Sequence, residues 1–368
     1  MTLNPQEPIA TASRSRLALA MLWMRQNLFS SIGNSLLTLF CLWLLWIIIP
    51  PLINWLILQA NFVGSTRADC TRDGACWVFI HARFGQFMYG LYPFGERWRI
   101  NLTLVVGLLS LLPMFWRAMP RRGRYIACWA VVFPIFTWVM LYGGFFGLSR
   151  VETRQWGGLT LTLIIAAVGI AGALPLGIIL ALGRRSHMPV VKWLSIIFIE
   201  FWRGVPLITV LFMSSVMLPL FLAEGTNIDK LIRALVGVIM FQSAYVAEVV
   251  RGGLQALPKG QYEAAESLAL SYWKTQGLVI LPQALKMVIP GLVNTIIALF
   301  KDTSLVVIIG LFDLFSSVQQ ATVDPAWLGM STEGYVFAAA VYWIFCFSMS
   351  RYSQHLEKRF QTGHSSTH

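Results

Sequence analysis

Long apolar runs recur along the 368-residue chain, each ended by a short polar and often basic segment. The runs cover residues 36–58, 102–116, 125–142, 159–182, 191–222, 231–250, 285–300 and 335–350. Crossing a hydrocarbon core of about 30 Å takes about 20 apolar residues as a helix, so the pattern predicts an all-α polytopic membrane protein with about eight transmembrane helices. Strands of a membrane barrel would alternate apolar and polar positions over about ten residues, and these runs do not. The second and seventh runs are short, and the fifth is too long for one straight helix. Pro50, Pro51, Pro134 and Pro206 are expected to kink or end the helices in which they fall, because proline lacks the amide donor and crowds the preceding turn. Residues 1–30 carry Arg14, Arg16 and Arg25 around a short apolar patch, so no cleavable signal peptide is expected and the first span acts as the signal.

Composition agrees with this reading: 57% of residues are hydrophobic and 12% charged, against about 25% charged in ordinary soluble domains. The net charge of +12 does not point to nucleic acid, because no basic stripe is interleaved with aromatics. Basic residues gather instead between spans: Arg14, Arg16 and Arg25; Arg117, Arg121, Arg122 and Arg124; Arg184 and Arg185; Lys259 and Lys274; Arg351, Lys358 and Arg359. With eight crossings all of these share one side, which the positive-inside rule makes cytoplasmic, together with both termini. The segment 61–98 and its flank run against the rule, since Arg67, Arg72, Arg83, Arg97 and Arg99 would face outward.

One polar island stands out among the apolar runs. Residues 261–282 read QYEAAESLALSYWKTQGLVILP, and Pro258-Lys259-Gly260 ends the span before them. Tyr262, Ala264, Ala265 and Leu268 recur at helical spacing, which predicts a short helix with an apolar face and small residues at its centre. A second short helix is expected over 271–278, with the next span beginning at Leu281-Pro282. A helix lying on lipid favours Lys or Arg on its polar face, whereas this one carries Glu263 and Glu266, a pattern that suits docking on a protein.

The motifs occur in a recognisable order. They are Thr160 to Thr162, Leu182 to Ser186, the run Glu200-Phe201-Trp202-Arg203-Gly204-Val205-Pro206-Leu207, the run Ser243 to Gly253 centred on Glu248, the island, Leu281-Pro282-Gln283-Ala284, and Lys301-Asp302-Thr303-Ser304-Leu305. Over residues 155–355 this order resembles the polar amino acid branch of ABC importer permeases, the island resembling their EAA loop. The extra N-terminal helices resemble those of the longer permease in general L-amino acid importers.

The resemblance implies a five-helix, MetI-like permease core over 151–355, with a coupling loop at 258–282. Three extra helices and an outer loop would precede it in 1–150, and a cytoplasmic tail would follow in 356–368. It also implies a subunit that forms half of a translocation pathway for L-amino acids in the bacterial inner membrane. Glu263, Ala264, Ala265, Leu268, Ala269 and Pro282 would form the coupling surface. The implied partners are a homologous second permease, two cytoplasmic ABC ATPase subunits that bind the ATP and Mg, a periplasmic amino acid-binding protein and membrane lipid. One position departs from the family pattern: six residues after Glu263 the family places glycine, which eases a positive φ or a tight turn, and this chain has Ala269.

Other residues carry candidate chemistry of their own. Lys301, Asp302, Thr303 and Ser304 interrupt an otherwise apolar stretch from 285 to 311, and ionisable groups at membrane depth are costly unless they pair or line a wet cavity. A cation, an anion and two hydroxyls suit an amino acid zwitterion, whose carboxylate and ammonium need opposite partners; a helix end at the outer boundary would also account for them. Glu200 and Arg203, beside Gly204 and Pro206, suit either a broken helix at a cavity or an ion pair at the inner rim. Glu248 and Arg251, three residues apart, read as a structural pair.

Cys70 and Cys76 flank a polar turn in the outer loop and suit a disulfide in an oxidising compartment, while Cys41, Cys128 and Cys346 lie in apolar runs. His81, His187, His355, His364 and His368 are placed in loops or the tail, where they form neither a metal site nor a catalytic arrangement. The chain lacks a Gly-x-x-x-x-Gly-Lys-Ser/Thr loop for nucleotide phosphates, so the energy source is expected on another polypeptide and no enzyme activity on this one. An ion-driven secondary amino acid transporter is the alternative; it would need no docking loop and would usually show paired broken helices in two related halves.

Overall fold

The computed structural model describes residues 16–71, 73–115, 122–221, 223 and 228–361. Arg14, Arg72, Arg117, Arg121, His364, His368 and the last residues of the expected tail lie outside them. The helices of the N-terminal part are α1 (Arg16–Asn27), α2 (Ile32–Ile53), α3 (Trp77–Tyr89), α4 (Arg97–Phe115) and α5 (Arg122–Tyr142). The long middle helices are α6 (Gly158–Arg184), α7 (Pro189–Gly204), α8 (Leu207–Phe212) and α9 (Lys230–Ala256). After them come α10 (Lys259–Ser267), α11 (Tyr272–Lys274), α12 (Leu281–Met287), α13 (Ile289–Asp302), α14 (Leu314–Thr322) and α15 (Ser331–Gln361).

Among the described residues six helices are long and apolar enough to cross a membrane, and a seventh crossing results if α7 and the segment after it count as one broken span. The second expected span, 102–116, falls on α4, which is not among them; its described residues stop at Phe115. The over-long fifth run is broken, as its length requires. Pro206 stands between α7 and α8, and the chain turns there by 103°. The other marked prolines do not end their helices: Pro50 and Pro51 lie inside α2 and Pro134 inside α5. Past its prolines α2 widens into a π-helical turn, Asn54–Leu58, and an inserted residue of this kind is one way a helix absorbs a missing amide donor.

Two compact units divide the chain at Val78. In the first, none of the apolar window of α2 is buried, as expected of a helix whose solvent is lipid. Its loop is closed by a disulfide between Cys70 and Cys76, with a Cα–Cα separation of 5.6 Å. The Asn61 amide donates to the Ala75 carbonyl at 2.8 Å, and the Trp77 indole to the Leu56 carbonyl at 2.8 Å. Backbone amides of Ser65 and Thr66 donate to Asp69 and hold its carboxyl below the usual range.

In the second unit the closest helix pair is α6 with α9. A Cβ placed on Gly172 would stand 2.6 Å from Ile239, and one on Gly177 would stand 2.5 Å from Val246. Only glycine permits that approach, and small residues at helix crossings are the usual device where lipid offers no hydrophobic drive for association. Gly169 faces Val238 and Gly177 faces Val246, so the two helices run side by side in the same direction.

Three of the arginines that run against the positive-inside expectation have partners within the protein. Arg83 pairs with Asp324, and Arg97 lies over the rings of Tyr89 and Phe94. Arg99 is fully buried and joins Glu96 at 2.6 Å and the Ser149 carbonyl at 2.9 Å. The hydroxyl of Ser149 and the guanidinium of Arg99 hold the Glu96 carboxyl below its usual range. Tyr92 donates to the Leu141 carbonyl at 2.8 Å, and burial pushes its phenol up to about 12. His81 lies on α3 and His355 on α15 rather than in loops, because a helix forms within the expected loop before residue 98 and α15 continues beyond its apolar run to Gln361.

Candidate coupling loop and charged cluster

The polar island folds as two short helical pieces. Asn and Ser are absent from the start of α10, and Pro258 supplies the extended residue before it. The helix closes with two backbone bonds: the Ala269 amide donates to the Glu266 carbonyl at 2.8 Å, and the Leu270 amide to the Ala265 carbonyl at 3.3 Å. That pattern is a Schellman end, which places its last residue in the left-handed region. Ala269 stands there with φ of 51°, so the turn is the one glycine would favour, made with alanine.

The apolar face differs from the expected one. Ala265 is buried and Tyr262 half-buried, whereas Ala264 and Leu268 are exposed. Tyr262 packs against the buried cluster formed by α6, α7 and α9, and Ala265 is buried beside it on the helix, which leaves Ala264 and Leu268 on the outer side. Leu268 is 74% exposed, Trp273 74% and Leu278 71%, a set of large apolar side chains on a segment that belongs to no candidate span. The expected helix over 271–278 is shorter: α11 covers three residues and passes into a π-helical turn, Thr275–Ile280. Pro282 follows at the start of α12, and Gln283 donates to Gln261 at 3.0 Å, tying the two ends of the island together. Glu263 and Glu266 line a cleft of about 400 Å³ with Arg185, Leu254, Lys259 and Tyr262.

Beside the island lies a five-member charged cluster. Arg184 donates to Glu200 and to Glu248, both at 2.8 Å. Arg251 joins Glu248 at 2.8 Å. Arg203 stands 3.9 Å from Glu200 and 3.7 Å from Glu248, with its guanidinium 6.0 Å from the Tyr245 ring centroid. The pairs Glu200/Arg203 and Glu248/Arg251, separate in the sequence, are thus one cluster joining α6, α7 and α9. In the sequence Arg184 stands among the basic loop residues and inside the motif run Leu182 to Ser186, and neither signal predicts its pairing with Glu200 and Glu248.

Lys301, Asp302, Thr303 and Ser304 lie elsewhere, where α13 tightens into a 3₁₀ turn, Thr303–Ile309. The Thr303 hydroxyl donates to the Phe300 carbonyl at 2.8 Å and that of Ser304 to the Lys301 carbonyl at 2.9 Å. Lys301 is exposed and Asp302 half-buried, and among the described residues neither shares an ion pair with the charged cluster. No group of three or more His, Cys, Asp or Glu that could hold a metal ion occurs among the described residues.

A glycine-packed helical core, a broken span and a polar island between spans describe a polytopic membrane protein, and the chain belongs to the family of binding-protein-dependent transport system inner membrane components, whose model matches residues 173–362. Over 360 residues, 98% of this chain and 97% of the relative, it is 82% identical to the inner membrane amino-acid ABC transporter permease protein YhdY of Escherichia coli (strain K12). It is 38% identical over 414 residues, 94% of each chain, to the glutamate/glutamine/aspartate/asparagine transport system permease protein BztC of Rhodobacter capsulatus. A solved amino acid ABC transporter crystallised with histidines is 31% identical, with a TM-score of 0.48, over 55% of this chain and 92% of that one. The chain is therefore a multi-pass permease that works with an ATPase and a binding protein.

Proposed function

We propose that this permease forms half of an inner-membrane pathway for L-amino acids and is driven through the loop at 258–282. The observation that carries the loop's role is its exposed apolar set, Leu268, Trp273 and Leu278, on a helical pair held from behind by buried Ala265. Large apolar side chains on a segment outside the spans are the kind of patch that marks a protein contact. The occupant would be the ATPase, which binds the ATP and Mg; this chain supplies no catalysis. The basic loops favour both termini on the cytoplasmic side with the island. Amino acids as cargo are supported by the relatives named above and by the Lys301 to Ser304 run. A different but homologous permease would form the other half. The domain organisation stays as read from the motifs, with the permease core in 151–355.

The test is Glu263→Lys in the complete transporter. Uptake should be lost while membrane insertion stays normal, and less ATPase should co-purify. Normal uptake with the ATPase retained would remove the loop from the coupling path.

A further inference from the structure

Two adjacent arginines end α6 and reach in different directions. Arg184 turns toward the charged cluster, donating to Glu200 on α7 and Glu248 on α9. Arg185 turns toward the coupling helix: it donates to the Leu254 carbonyl at 2.7 Å and to the Tyr262 hydroxyl at 2.9 Å. Its guanidinium also lies 5.4 Å from the centroid of the Tyr262 ring. Consecutive residues on a helix are set about 100° apart, so one backbone segment serves both sites without either side chain bending back.

From this geometry we infer that Arg184 and Arg185 are positioning residues that convert movement of the coupling helix α10 into release of the charged cluster. The inference rests on the reading of α10 as the segment the ATPase moves. Tyr262 is fixed on α10, so a displacement of that helix acts on Arg185 and on the last turn of α6. Arg184 is the next residue back and must follow. It is the only member of the cluster that bridges two carboxylates on two other helices at hydrogen-bond distance among the described residues. Displacing it removes the hydrogen-bonded tie between α7 and α9 and leaves their apolar packing in place.

The cluster is built to open. Three arginines face two carboxylates, so one positive charge is in excess, and Arg203 stands beyond hydrogen-bond distance of both acids. When Arg184 withdraws from Glu200, Arg203 is close enough to take its place. The closed and open arrangements then each keep Glu200 paired, which avoids leaving a charge stranded near the membrane. Coupling carried this way has a stated two-state element, an exchange of Arg184 for Arg203 on one carboxylate.

The experiment uses the complete transporter in liposomes, with its ATPase and loaded binding protein, and reads three quantities: ATPase bound, ATP hydrolysed and solute taken up. Arg184→Gln and Arg185→Gln should each keep the bound ATPase and its hydrolysis while solute moved per ATP falls by about tenfold, the scale of ordinary allosteric coupling. The double variant Arg184→Gln with Arg185→Gln should be no worse than either alone, since one linkage is cut in each. Arg184→Lys, which keeps the charge but not both contacts, should restore part of the loss. Uptake and hydrolysis falling in step, or unchanged solute per ATP, would overturn the inference. Should either arginine variant fail to assemble, Tyr262→Phe removes only the hydroxyl that Arg185 bonds, and it too must lower solute per ATP. Loss of bound ATPase in Glu263→Lys alongside unchanged coupling in the arginine variants would leave the docking role standing and this linkage refuted.

Discussion

Ala269 shows how much one backbone angle can record. An L-residue in the left-handed region costs about 1–2 kcal/mol, and alanine bears that cost here because the Schellman end of α10 allows no other conformation. Ala269→Gly should relieve about 1 kcal/mol of it. Hydrogen exchange at the Ala269 and Leu270 amides would slow accordingly, with uptake at or above the parent level. Faster exchange in the glycine variant would mean that the turn is held by the partner and not by its own bonds. The need for a glycine-like turn was legible in the sequence, through the family position that Ala269 occupies. The inward packing of Ala265 and the outward set of Leu268 were not, because a 3.6-residue period gives a face but not which neighbour it meets.

At the scale of elements, the joint between α4 and the loop after α5 is a polar clasp. Glu96, just before α4, accepts from Arg99 and from Ser149, and its carboxyl titrates below the usual range. A depressed folded-state pKa means that the unfolded chain takes up the proton first as pH falls. The clasp is therefore intact above the unfolded value of about 4.3, and its contribution is lost as acidity passes down through the folded value. Thermal melting of the solubilised permease should fall on acidification, and Glu96→Gln should flatten that stretch of the profile. An unchanged profile would show that other carboxylates dominate. Spans were the most legible elements, because 20 apolar residues have few other destinations. The charged cluster was the least, since Arg184 and Glu248 are 64 residues apart and only the packing of α6 on α9 brings them together.

Across the whole molecule, two charged places serve different ends. In the cluster of Arg184, Glu200, Arg203, Glu248 and Arg251 both carboxylates are paired, whereas Lys301 and Asp302 keep their side chains free of ion pairs among the described residues. Ionisable groups of the second kind suit a solute that brings its own charges. Asp302→Asn and Lys301→Met should each impair amino acid uptake more than they impair assembly with the ATPase. Unchanged uptake kinetics in both variants would take this turn out of the pathway. The sequence showed both places as charges in apolar surroundings; which was self-paired depended on tertiary neighbours.

The glycine contact between α6 and α9 limits what this permease can do mechanically. With the backbone of α6 pressed against the branched side chains of Val246 and Ile239, those two side chains are lodged in its surface and resist one rod slipping along the other. The two therefore travel as a single beam, and the pivot of any rocking falls instead at the elbow by Pro206, where the chain already turns through a right angle and a little more.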